Sequence, residues 1–182
     1  MFSAVLDDVS VLRDSIATIA ELLDETELRV TEQGIELIAA DRAVVVVLDF
    51  FLSKHVFSEY HFEQEERIGM NLVNFFQVLR RANASDQVHI QLDGKKLNVT
   101  FATKTDSVTP LIRSFVLPLI DISKEETPPL GQLRFPAKIT MNADLLASGI
   151  DDAELIADSV ILTVRKDKFV LRSESDTSST QL

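Results

Sequence analysis

The sequence predicts an α+β fold built from two similar units of antiparallel sheet and helix, the second unit incomplete. Two observations predict it. The chain repeats itself: a shift of 134 positions carries Leu12 onto Leu146, Ile16 onto Ile150 and Leu22 onto Ile156. The same shift carries Leu28 onto Leu162, Val30 onto Val164, Ile35 onto Phe169 and Leu37 onto Leu171. Each copy also reads as an amphipathic helix, a short acidic turn and two alternating strands around a tight turn. Duplication on this scale implies a pseudo-symmetric architecture in which each copy buries its apolar face against a neighbour. The first copy fills residues 1–117, but the second has only 135–182 to occupy, so it falls short by roughly 60 to 70 residues on the repeat logic.

The elements follow in order. Val9, Leu12, Ile16, Ile19, Leu22 and Leu23 recur at three- and four-residue spacings and predict a helix over 9–23. Leu28 and Val30, then Ile35 and Leu37, alternate about Glu32-Gln33-Gly34, where Gly34 can supply a positive φ. Val44 to Leu52 is the longest apolar run; broken by Asp49, it reads as a strand buried on both faces, with a second strand near 58–63. Asn71 opens a helix through Ala82, its apolar side carried by Leu72, Phe75, Phe76 and Leu79. Val88, Ile90, Leu92 and Leu97, Val99, Phe101 form a hairpin about Asp93-Gly94, and Leu111 to Ile122 reads as the last strand of the first unit. Residues 118–134 then form a connector, with Pro128, Pro129 and charged residues but no periodicity. The second unit, 135–182, predicts a strand over Phe135–Thr140 and a helix over 143–153 with Asn142 as N-cap. Strands near 159–165 and 168–174 follow. Ser175 to Leu182 reads either as a frayed tail or as an edge strand lacking its partner.

Composition narrows the function classes. A chain of 182 residues with 46% apolar content can bury real cores. A net charge of −11 disfavours bulk attraction to nucleic acid, although it is silent about local patches. The absence of cysteine excludes a disulfide framework and thiolate chemistry, and together with an N-terminus unlike a signal peptide it leads to an expected cytoplasmic location. No apolar run is long enough for a membrane span.

Catalytic motifs are missing as well. The five glycines, at 34, 69, 94, 131 and 149, never cluster, so no loop can bring several backbone amides onto a phosphate. His55, His61 and His89 lack helical pairing and cysteine companions, which disfavours a zinc site. The acidic clusters Asp7-Asp8, Glu63 to Glu66 and Asp151-Asp152 read as solvated faces; only convergence in a cleft would make them acid–base pairs. The expectation is therefore a protein with no cofactor and no metal that is not an enzyme, an acidic hydrolase built on Glu65 or Asp152 being the outlying alternative.

One set of segments carries a resemblance. It comprises Phe2 to Leu6, Thr31-Glu32-Gln33-Gly34-Ile35 and Ala39-Ala40-Asp41-Arg42-Ala43-Val44, then Phe57 to Tyr60, Ile68 to Leu72, Leu117 to Asp121, and Ala157 to Val160. In this order and spacing the chain resembles the ring-shaped DNA sliding clamps of the proliferating-cell-nuclear-antigen type, with an archaeal cast. The resemblance implies the DNA-clamp fold: two like domains, helices lining a central hole, continuous sheets outside, and three subunits closing a homotrimeric ring. It implies a non-catalytic processivity factor that encircles double-stranded DNA without sequence preference, nucleoid-associated in the cytoplasm or, in a eukaryote, nuclear. Implied partners are DNA polymerase, flap endonuclease, DNA ligase and a clamp loader. The alternative is a truncated clamp-like adaptor that binds partners without closing a ring.

The same resemblance assigns residues. Arg13, Arg80 and Arg81 would face DNA; they are the only bases on the predicted inner helices, and the third helix carries Asp144, Asp151 and Asp152 instead. Arg80 and Arg81 could equally serve as cations at a helix C-terminus. A pocket for a short peptide bearing a glutamine, an aliphatic residue and two aromatics would use Ala40, Val44, Val45, Val47, Pro129 and Leu130, its third wall lying past residue 182. The Val44–Val47 run has a plainer reading as strand core, with alternate residues inward. Leu111, Arg113 and Phe115 would meet a neighbour's Thr177, Ser179 and Gln181 edge to edge. A half-built second domain should leave apolar surface uncovered.

Overall fold

The computed structural model describes residues 1–41, 43, 45–103, 111–122 and 134–182. The chain divides into two compact units, Met1–Pro128 and Pro129–Leu182.

The first unit is assembled from two β-α-β-β-β runs that exchange their leading strands. The first run is β1 (Phe2–Leu6), α1 (Ser10–Ala20), β2 (Glu25–Val30), β3 (Gly34–Ala40) and β4 (Val47–Ser53). After the short β5 (Glu59–Phe62) comes the second: β6 (Glu66–Asn71), α2 (Leu72–Leu79), β7 (Asp86–Asp93), β8 (Lys96–Thr103) and β9 (Ile112–Pro118). β1 leaves its own run to pair antiparallel with β7, Ala4 opposite Ile90, while β6 pairs antiparallel with β2, Ile68 opposite Leu28. The outcome is a five-stranded sheet, β5-β1-β7-β8-β9, and a four-stranded sheet, β4-β3-β2-β6.

The two helices lie against each other, and one core joins them to both sheets. Leu12, Ile16 and Ile19 of α1 and Leu72, Phe75 and Leu79 of α2 are buried there with Phe2, Leu6, Val30, Leu37, Val88 and Phe101. α1 lacks a capping side chain at Val9, but the Asp8 carboxylate accepts from the Ser10 amide at 2.8 Å and does that work from one residue earlier. α2 is capped as its sequence predicts: the Asn71 side chain accepts from the Asn74 amide at 2.9 Å.

Two glycines are required by close approach. Gly34 sits at φ +154, where a Cβ would stand 2.1 Å from the Leu52 carbonyl oxygen. Gly69 lets the chain beyond β9 lie against β6; the Ile120 amide donates to its carbonyl at 2.9 Å, and a Cβ there would meet the Ile120 oxygen at 2.1 Å.

Several expectations are corrected. The run predicted over Val44 to Leu52 is, in its described residues 45–52, not buried on both faces: β4 is an edge strand, and of its residues only Leu52 is buried. The predicted helices over 9–23 and 71–82 are shorter, and Leu22 falls in the turn after α1 and is exposed. The strand predicted over 111–122 stops at Pro118, whose ring carries no amide hydrogen to continue a ladder. β1 and β6 are not among the strands expected from the sequence, although Phe2, Ala4 and Leu6 alternate as buried residues in β1 and Ile68 and Met70 in β6.

The second unit holds α3 (Ala143–Glu154), β10 (Ile161–Val164), β11 (Phe169–Glu174) and β12 (Ser179–Gln181), the strands ordered β10-β11-β12. Asn142 caps α3 by accepting from the Asp144 amide at 2.8 Å, as expected. The tail is an edge strand: β12 pairs with β11, Ser173 opposite Thr180. Phe135–Thr140, predicted as a strand, makes no ladder among the described residues, and its own residues are exposed.

Candidate nucleic-acid and partner interfaces

Three surfaces collect the residues singled out from the sequence. The first is the exposed side of the helix pair in the first unit. Arg13 is half-buried on α1 and its Nε donates to Asp14 at 2.8 Å, so a neighbouring acid offsets its charge. Arg80 is the C-cap of α2, its guanidinium 5.6 Å from the centre of the Phe76 ring. Arg81 follows, exposed, and its carbonyl accepts from Arg113 Nη1 at 2.8 Å. Arg80 and Arg81 therefore carry cationic heads at the end of a helix where its carbonyls converge. α3, by contrast, carries Asp144, Asp151, Asp152 and Glu154 and no base.

The second surface is the outer face of the β3–β4 edge. In register, Ala40 stands opposite Val47 and Ile38 opposite Asp49, while Glu36 faces Phe51. Leu37 and Phe50 occupy the alternate positions and belong to the core side, so Ala40, Val47, Ile38 and Phe51 share the face turned outward. Ala40 is buried, whereas Ile38 and Phe51 are more than half exposed. The turn that leads into β4 is organised by Asp41. Its carboxylate accepts from the amides of Val46 (2.8 Å), Val45 (2.7 Å) and Ala43 (3.1 Å), and the Asp41 amide donates back to the Val46 carbonyl at 3.0 Å. Those backbone donors, Val46 first, hold the Asp41 carboxyl below the ordinary 3.8. The result is a Val45 side chain 80% exposed at the rim of an apolar patch. Val44, Pro129 and Leu130 lie outside the described residues. Ile38 and Phe51 were missed from the sequence; counting outward from Ala40 and Val47 in steps of two would have found them.

The third is the outer edge of β9, which ends its sheet. Alternation turns Arg113, Phe115 and Leu117 inward and Ile112, Ser114 and Val116 outward. Phe115 packs on Phe101 at 5.5 Å between ring centres, and Arg113 lies over the same Phe101 ring and pairs with Asp86. Asp86 is buried; burial alone would raise its pKa, but the Asn83 amide and Thr103 Oγ1, each at 2.7 Å, together with Arg113 hold it below 3.8. Two of the three residues expected at a subunit contact, Arg113 and Phe115, thus have side chains committed to their own unit. The third, Leu111, is exposed just before the strand. In the second unit Ser179 and Gln181 lie on the edge strand β12, and Thr177 lies in the bend before it.

The arrangement of exchanged β-α-β-β-β runs can be compared with known proteins. Residues 1–126 match the family model for the N-terminal domain of proliferating cell nuclear antigen. The chain belongs to that family. All 182 residues align at 33% identity with DNA polymerase sliding clamp 1 of Thermococcus kodakarensis and at 32% with the DNA polymerase sliding clamp of Thermococcus gammatolerans. In both alignments the chain spans 70% of the relative's length. Among solved structures, a crystal structure of proliferating cell nuclear antigen from Thermococcus kodakaraensis matches all of this chain and 72% of its own, with a TM-score of 0.81 at 26% identity. The α+β clamp fold expected from the sequence is thus the fold observed, and the resemblance to archaeal sliding clamps holds over the whole chain.

Proposed function

We propose that the chain works as a sliding clamp, a non-catalytic processivity factor that surrounds duplex DNA and tethers DNA polymerase to it. The observation that carries this reading is the layering of the first unit. A helix pair presents Arg13, Arg80 and Arg81 with no other base, and behind it stand two antiparallel sheets, one ending in the open strand β9. A protein held on DNA by topology needs only weak, sequence-independent phosphate contacts, and few bases suffice for that. Ring closure in this reading is a strand pairing of β9 with β12 of a neighbour, three subunits making the ring, with Ile112 and Val116 at the contact beside Leu111. The patch around Ala40, Val45 and Val47, extended by Ile38 and Phe51, takes the aromatic end of a partner peptide; Val44, Pro129 and Leu130, assigned to the same pocket by the resemblance, lie outside the described residues. Polymerase, flap endonuclease, ligase and a clamp loader are the partner classes, and the site of action is the nucleoid. The connector of 118–134 joins the two domains, 1–117 and 135–182, in the same reading.

The test is direct binding to a short linear duplex, which a ring cannot retain. Affinity is expected to be weak and to fall steeply with salt, and tight binding of linear duplex at about 200 mM salt would contradict the account. A second reading, an adaptor that binds partners without closing a ring, is favoured by one observation: Arg113 and Phe115, expected at a subunit contact, have their side chains committed to Asp86 and Phe101 of their own unit. The adaptor predicts peptide binding with no gain in polymerase processivity.

A further inference from the structure

The end of α2 is held by a side chain of β9. Arg113 stands on the inward face of that strand, opposite Phe101 of β8, with its guanidinium 5.3 Å from the centre of the Phe101 ring. From there it reaches the turn between α2 and β7. Nη1 donates to the Arg81 carbonyl at 2.8 Å, just past the helix end, where carbonyls lack a ladder partner, and Nη2 donates to Asp86. Asp86 closes the far side of the same turn: its carboxylate accepts from the Asn83 amide and from Thr103 Oγ1, and its own amide donates to the Asn83 carbonyl at 3.0 Å. Residues 81–86 are thus clamped at Arg81 by Arg113 and at Asn83 by Asp86, and the two clamping side chains hold each other. Arg113 Nε is buried and has no hydrogen-bond partner among the described residues. The side chain forgoes one donor, while both nitrogens of its fork go to this turn.

What the clamp positions is Arg81. Its side chain is exposed and makes no ion pair among the described residues, whereas Arg13 is spent on Asp14. Its backbone lies beyond the last turn of a helix of only eight residues, a place where helices fray. We propose that Arg113 is a positioning residue for DNA contact: by fixing the Arg81 carbonyl, it holds the Arg81 guanidinium where a phosphate can meet it. The inference rests on the sliding-clamp reading and gives the inward side of β9 a task which that reading leaves unassigned. The strand whose outer edge is offered to a neighbour also braces the cationic corner of the helix pair. Lysine cannot take over this role, because one ammonium group does not span the Arg81 carbonyl and the Asp86 carboxylate as a planar fork does.

Binding of a short linear duplex, followed by fluorescence anisotropy from about 20 to 150 mM salt, tests it through the slope of log K against log salt. Arg81→Ala should lower that slope by about one phosphate contact. Arg113→Lys keeps the charge and the pairing with Asp86, so the first unit should melt close to wild type, yet the slope should fall as it does in Arg81→Ala. The double exchange of Arg113→Gln with Asp86→Asn leaves the net charge unchanged and no buried charge unpaired, and should give the same loss. Neither change should lower the slope further in a chain already carrying Arg81→Ala, because both act through that one side chain. A purely structural role would lower the melting temperature and leave the slope alone. A wild-type slope in both Arg113 variants, or a loss that adds to that of Arg81→Ala, would overturn the proposal. A slope that Arg81→Ala itself leaves unchanged would show instead that Arg81 does not face DNA, and the proposal would fall with that assignment.

Discussion

Asp41 and Asp86 do opposite kinds of work with the same carboxylate. Asp41 lies near the surface and gathers three backbone amides, fixing a turn that no hydrophobic contact would hold. Removing it should leave the core intact and let the Val45–Val47 segment wander. Asp41→Ala is therefore expected to weaken binding of an aromatic partner peptide about tenfold while leaving the urea midpoint nearly unchanged, as measured by titration and by denaturant unfolding. Asp86 instead sits inside, joined to Arg113, Thr103 and the Asn83 amide. Asp86→Asn is expected to cost about 2 kcal/mol at neutral pH, since a buried charge-assisted network loses its anion. The folded-state pKa of Asp86 is depressed, so its contribution is present above 3.8 and is lost as pH falls through the lower folded value. The gap between wild type and variant in urea midpoint should accordingly narrow at acid pH; a gap that widened there would contradict the assignment.

Elements decide how these residues can be used, and β9 is the clearest case. Its inward residues are spent on the core, so contact with another strand falls to the backbone edge and to the outward Ile112 and Val116. Val116→Glu should leave the melting temperature of the first unit nearly unchanged yet abolish any assembly through this edge, measured by sedimentation. What the sequence made legible at this scale is what periodicity carries: three helices with their buried faces, the hairpins about Gly34 and Gly94, and Asn71 and Asn142 as caps. What it hid follows from physics that periodicity does not encode. The apolar content of β4 suggested burial, but its place at the edge of a sheet left it half in solvent. Phe135–Thr140 has strand-like alternation, yet a strand exists only when another lies beside it. Of the candidate patch, Ala40, Val45 and Val47 could be named in advance only through the family resemblance. Ile38, Phe51 and the three-amide role of Asp41 could not, because they depend on strand register and on the path of a turn.

At the scale of the molecule, the chain carries two β-α-β-β-β runs in its first unit and a helix with three strands in its second, with a net charge of −11. An acidic protein with so few bases on its helices gains little from charge attraction to DNA, so if it stays on DNA the reason must be geometric. Topological retention is the central claim, and one experiment addresses it. The chain is incubated with a nicked circular plasmid and a clamp loader, the complex is isolated by gel filtration, and half of it is linearised by a restriction enzyme before a second passage. The account predicts that protein remains with the circle and is lost from the linear form, because a ring slides off an open end. Equal retention on circular and linear DNA would mean that direct contacts hold the chain, and would contradict the clamp account.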